Sequence, residues 1–151
     1  YNLKLDEKMH RVLEVEKKFE YDKMHFNEPV KIVKLMNDCL QLNKLAEEFF
    51  FVIGFTYNML PLGIFEISHG TVTFSICNAR EIFIRLLLVG ATSFVAIHNH
   101  PSGGLKISED DINTTKKLKK VSDLIGIQFV DHIVIGNCSY VSIREMQDDV
   151  F

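Results

Sequence analysis

The sequence predicts a single α/β domain, a mixed sheet flanked by helices, with a helical arm at its N-terminus. Three observations predict it. Apolar runs of strand length alternate with segments that are apolar at helical spacing. Asn, Ser and Gly stand where those helices should start and stop. The 151 residues, 47% hydrophobic and 25% charged, match one ordinary globular domain.

Residues 3–25, "LKLDEKMHRVLEVEKKFEYDKMH", are dense in charge, with apolar Leu5, Met9, Val12, Leu13 and Phe19. The rough spacing of three to four predicts an amphipathic helix, an arm over residues 1–26 that packs on the domain or on a second copy of the chain. Residues 27–151 form the domain. In "NEPVKIVKLMNDCLQLNKLAEE", Asn27 can cap a helix and Pro29 suits its first turn. "EFFFVIGFTYN" (48–58) is β-branched, aromatic and continuously apolar, as a strand buried on both faces should be. "GIFEISHGTVTFSI" predicts one or two further strands broken at Gly70. "NAREIFIRLLLVG" predicts a helix from an Asn78 cap to Gly90. The strand "TSFVAIH" follows, then a helix opened by Ser108 and closed by Gly126. "IQFVDHIVIG" and "SYVSI" close the chain as a hairpin around Gly136–Asn137.

Composition excludes several roles. No apolar run reaches the ~18 residues needed to cross a bilayer, and the charged opening residues predict no signal peptide. Cys39, Cys77 and Cys138 are widely spaced and odd in number, which fits a reducing cytoplasm with the cysteines as small buried hydrophobes. A net charge of −3 disfavours direct nucleic-acid binding. The basic "KKLKK" at 116–120 has no interleaved aromatics and reads as a solvated helix face. His10, His25 and His69 match no pattern and read as surface residues.

The chemistry lies in "FVAIHNHPSGGLKISEDDI" (94–112). On an extended strand His98 and His100 project to one face, with Asn99 turned away. Two imidazoles side by side can take two corners of a tetrahedral metal site. Pro101 ends the strand, and Gly103 and Gly104 let the loop fold back, so the next helix starts beside the histidines. That brings Glu109, Asp110 and Asp111 within reach, about 100° apart around the helix. Ser108 and Asp111 also form an S-x-x-D capping pair, and geometry alone does not choose between cap and ligand. The zinc deaminases combine H-x-E with P-C-x-x-C, which this chain lacks.

The order His98-x-His100, seven residues, Ser108, two residues, Asp111 resembles the metal signature of the JAMM (JAB/MPN+) zinc metalloprotease family. "HNHPSG", "SEDDINTTKKL", "DHIVIG" and "YVS" are similar to the bacterial RadC branch of that family. "GTVTFSICNAREIF" resembles the RadC stretch that ends H-P-R-E, with Asn78-Ala79 in place of His-Pro and Arg80-Glu81 retained. The resemblance covers roughly residues 28–145 and leaves the arm unexplained.

The resemblance implies a cytidine-deaminase-like three-layer architecture and a zinc ion (Zn2+) on His98, His100 and Asp111, with water in the fourth position. It implies a glutamate before the first core strand as general base. The family's E-x-F-x-V register selects Glu48, with Glu47 as the alternative. Ser108 is implied to donate to an oxyanion, beside its role as helix cap. His132, in "DHIVIG", and Asn99, between the two histidines, are candidates for supporting the ligands. The activity so implied is a metal-activated water attacking an amide or isopeptide bond of a peptide or protein substrate. The missing ubiquitin-recognition inserts and the bacterial character of the resemblance disfavour ubiquitin as the substrate. The alternative is a DNA-repair-associated or scaffold module whose metal site is not used for proteolysis. A further expectation is a cytoplasmic homodimer assembled through the arm.

Overall fold

The computed structural model describes residues 1–21, 25–70, 78–147 and 150–151. A hairpin of β1 (Asn2–Leu5) and β2 (Arg11–Glu14) comes first. Then follow α1 (Pro29–Leu40), β3 (Glu48–Phe55), β4 (Pro61–Gly70), α2 (Ala79–Val89) and β5 (Ser93–Asn99). The chain continues through α3 (Glu109–Ile125), β6 (Gln128–Ile135), β7 (Tyr140–Ser142) and α4 (Ile143–Met146). β3 to β7 make one five-stranded mixed sheet in the order β4-β3-β5-β6-β7. Among the described strands only β5 and β6 run parallel, and α3 crosses between them.

Strand alternation divides the core into two layers. Phe50, Val52, Phe94 and Ala96 face α2 and α3, where Ile82, Phe83, Leu86 and Leu118 cover them. Phe51, Ile53, Phe55, Val95, Ile97 and Ile133 face the other way, onto Ile32, Leu35 and Met36 of α1. The result is a three-layer sandwich with a sheet buried on both faces, which is why β3 and β5 read as unbroken apolar runs. Asn78 and Ser108 cap α2 and α3, and Gly90 and Gly126 end those helices in the left-handed conformation, as the sequence predicts. Among the described residues no helix is long and apolar enough to cross a membrane.

The arm corrects one expectation. Residues 3–25 do not form a helix where they are described; Leu3 pairs with Leu13 in an antiparallel hairpin. The Asp6 carboxylate accepts from the Lys8 and His10 amides, and Met9 takes φ of 64°, so the chain turns where a helix would continue. Within the two strands Leu3 and Leu13 are half-buried between exposed neighbours, an alternation that the charge pattern hides. The arm docks through Tyr1, whose N-terminus donates to the Ile64 carbonyl, and through an Arg11–Glu81 ion pair at 3.1 Å.

Smaller corrections concern caps and cysteines. Glu28, not Asn27, holds the cap position of α1, because Pro29 forces the residue before it to be extended. Asn27 instead accepts from Lys31 Nζ. Cys39 is half-buried and packs against the α1 side of the core, whereas Cys138 is exposed on the β6–β7 turn, so the expectation of buried cysteines fails for Cys138. Cys77 and the second strand segment expected after Gly70 lie outside the described residues.

Candidate functional site

The antiparallel pairing of β3 with β5 sets Phe50 opposite His98. Glu48, two residues earlier on the same strand face, therefore stands at the level of His100. The ligand atoms of Glu48, His98 and His100 all lie within 4.8 Å of one another. Parallel pairing with β6 brings Ala96 opposite His132, so His132 shares the His98 face. The α3 crossover packs on that same face and delivers Asp111 at its first turn. Sheet register and one crossover thus bring five chemically active side chains together from four separate stretches of sequence.

The imidazole Nε2 atoms of His98 and His100 are 3.1 Å apart. Asp111 Oδ1 is 3.2 Å from His98 Nε2, and Oδ2 is 4.0 Å from His100 Nε2. His98 and Asp111 are fully buried, while His100 keeps 17% of its side chain exposed and forms the mouth of the site. Glu48 is half-buried, whereas Glu47 points to solvent and uses its carbonyl to accept from the Asn99 amide at 2.9 Å.

Asn99 turns away from the histidines, as the alternation predicts, and grips the strand that carries Glu48. Its Oδ1 accepts from the Phe49 amide at 2.8 Å while its Nδ2 donates to Glu47. The residues on both sides of Glu48 are therefore held by one side chain. The loop after His100 is tied down as well. His100 Nδ1 donates to the Gly104 carbonyl at 2.9 Å, and the His100 amide donates to Ile135. Gly103 turns the loop at φ 75°, and Gly136 lies so close to it that a Cβ would stand 2.7 Å from the Gly103 carbonyl oxygen.

Ser108 forms a capping box with Asp111. The Ser108 hydroxyl and amide both donate to Asp111 Oδ2, at 2.7 and 2.8 Å, and the hydroxyl accepts from the Asp111 amide. Cap and carboxylate orientation are thus the same interaction. One carboxylate oxygen is pinned, and the other, Oδ1, is left toward His98.

Two carboxylate oxygens at this site, Glu48 Oε1 and Asp111 Oδ1, are buried with no hydrogen-bond partner. An unmet buried acceptor costs about 1–3 kcal/mol, so such atoms demand an explanation. A cation supplies one. Two ligands ~2.0–2.1 Å from a tetrahedral zinc ion lie roughly 3.3 Å apart, close to the 3.1 and 3.2 Å separations here. Two imidazoles and a carboxylate are also a chemically suitable donor set. The residues fit a divalent metal.

Electrostatics agree with that fit. Burial, then the neighbouring His100, pushes His98 down to about 3, so the ring is neutral and able to ligate. His132 is likewise held well below the usual histidine range, first by burial and then by His98. Burial raises the Glu48 carboxyl; Asp111 adds to the rise and His100 opposes it. A raised carboxyl is a better proton acceptor near neutral pH.

Two neighbours bear on His98. His132 Nε2 lies 2.9 Å from His98 Nδ1, and Thr115 Oγ1 lies 2.7 Å from His132 Nδ1. Sequence reasoning missed Thr115. The available signal was its position four residues after Asp111, one turn along the same helix face. Lys116, Lys117 and Lys120 are exposed around buried Leu118, as expected for a solvated helix face. His10, His25 and His69 are exposed.

Comparison with known proteins follows the same outline. The family model described as RadC-like JAB domain matches residues 26–148. A UPF0758 protein of Clostridium acetobutylicum is 38% identical over 105 residues, 70% of this chain and 46% of that protein. One from Finegoldia magna is 35% identical over 124 residues, 82% of this chain and 55% of its own. One from Staphylococcus haemolyticus is 34% identical over 124 residues, 80% and 54% respectively. The chain thus spans about half the length of the curated relatives it matches. With the matched region covering the whole sheet, its helices and every residue of the site, the chain belongs to the RadC-like JAB domain family.

Proposed function

We propose that this domain is a zinc-dependent hydrolase that cleaves an amide or isopeptide bond in a peptide or protein. The observation that carries the reading is the convergence of Glu48, His98, His100 and Asp111 with two buried carboxylate oxygens left unpartnered. His98, His100 and Asp111 would hold the ion, which when bound supplies Lewis acidity toward a carbonyl and toward water.

The chain's own groups do the rest. Glu48, raised by burial, takes a proton from the attacking water and returns it to the leaving amine. Asn99 keeps Glu48 at its place by clamping both flanking residues. Ser108 keeps Asp111 turned toward the histidines. Its hydroxyl proton is engaged by Asp111 here, so donation to an oxyanion requires that bond to open first. His100, the ligand that keeps part of its side chain exposed, marks the side from which a substrate carbonyl would enter.

The test is a zinc-loaded sample assayed on a peptide library beside Glu48→Gln. The expected result is cleavage by the wild type, and a loss of at least ~100-fold in the variant with metal content unchanged. Equal rates in both proteins would overturn the role of Glu48.

A further inference from the structure

We propose that Thr115 and His132 form a one-way hydrogen-bond relay that decides which nitrogen of His98 carries its proton. This assignment rests on the zinc reading above and adds two positioning residues to it. Thr115 Oγ1 lies 2.7 Å from the Asp111 carbonyl oxygen, which has no proton to give. The single hydroxyl proton must therefore point there. Toward His132 Nδ1, also 2.7 Å away, the same oxygen can then only accept. So His132 carries its proton on Nδ1, and its Nε2 is bare. That bare nitrogen lies 2.9 Å from His98 Nδ1, which must in turn be the donor. A neutral His98 with its proton on Nδ1 presents Nε2 as a lone pair, the form a metal requires.

The alternative tautomer is a real competitor. With the proton on Nε2, His98 could donate to His100 Nε2 at 3.1 Å or to Asp111 Oδ1 at 3.2 Å, and metal ligation would be blocked. Reversing the relay to allow this would set a Thr115 lone pair against the Asp111 carbonyl lone pairs at 2.7 Å. The His98 and His132 rings and Thr115 are all fully buried, and the Phe50 ring lies parallel to His98, 6.1 Å between centroids. Water has no ready way in to replace a lost partner. The relay starts on the backbone of Asp111 and ends on His98, so it also couples the tautomer of one candidate ligand to the helix that carries another. His100 needs no such device, because the Gly104 carbonyl alone fixes its Nδ1 as the donor.

The test uses the full chain labelled with 15N in its histidines, and a long-range 1H–15N spectrum after chelation of metal. The expected wild-type result is a proton on Nδ1 of both His98 and His132. In Thr115→Val the His98 proton should move to Nε2, and Zn2+ affinity, read by competition with a chromophoric chelator, should fall ~10–100-fold. Thr115→Ser keeps the hydroxyl and should restore both readouts. An Nε2-protonated His98 in the wild type overturns the relay, and so does a Thr115→Val protein with wild-type tautomer and affinity. Should Thr115→Val not fold, the wild-type spectrum still decides. A wild type that binds no Zn2+ would sink the metal reading, while the tautomer result would stand by itself.

Discussion

Acid should destabilise this domain through His98 by an amount that the structure sets. The folded chain holds His98 fully buried and its pKa at about 3, against about 6.5 in an unfolded chain. The native state therefore binds the proton less tightly than the unfolded one. Stability is fully present above ~6.5 and is lost progressively as pH falls toward the folded value. One unit below 6.5 the loss is about 1.4 kcal/mol, the equivalent of one pKa unit. Other groups also titrate. His132 pulls in the same direction, and burial raises Glu48 and Asp131, which pull in the opposite one. Comparison with His98→Gln cancels Glu48 and Asp131, whose shifts have other causes, and it cancels the part of the His132 shift that comes from burial, its largest cause.

The assay is urea unfolding followed by circular dichroism, with chelator present so that metal linkage does not enter. Between about pH 7.5 and about pH 5.5 the wild type should lose about 1.4 kcal/mol more than His98→Gln. An equal loss in both proteins would show that His98 is not held neutral by its surroundings, and the account of its buried, ligating state would fail.

Two further outcomes follow from the supporting residues. Asn99→Ala removes the clamp on both sides of Glu48; peptide cleavage should fall ~10–100-fold with zinc content unchanged, checked by parallel rate and metal assays. Gly136→Ala would place a Cβ 2.7 Å from the Gly103 carbonyl; it should cost about 1–3 kcal/mol in urea unfolding and weaken zinc binding by shifting the loop after His100.

Much of this architecture was legible in the sequence, for local reasons. Asn78, Ser108, Gly90 and Gly126 mark helix ends through short-range geometry that tertiary packing rarely overrides. The apolar runs of β3 and β5 signal burial on both faces whatever covers them. His98 and His100 share a face because strand period is two, and the spacing to Asp111 follows from one loop and one helical turn. The N-terminal arm was misread because its few apolar residues fit both periods. The Asp6 turn, a contact between side chain and backbone, decided for a hairpin. The relay through Thr115 and His132 was hidden for a different reason. It joins residues 17 positions apart through sheet register and helix packing, which no local pattern encodes.

The central claim is that His98, His100 and Asp111 bind a metal ion, and metal analysis of the purified chain tests it most directly. Elemental analysis by mass spectrometry should find about one zinc per wild-type chain and less than roughly a tenth of that in His100→Ala, since a three-ligand site cannot hold the ion on two. Equal zinc in the two proteins, or none in the wild type after growth with zinc, would contradict it.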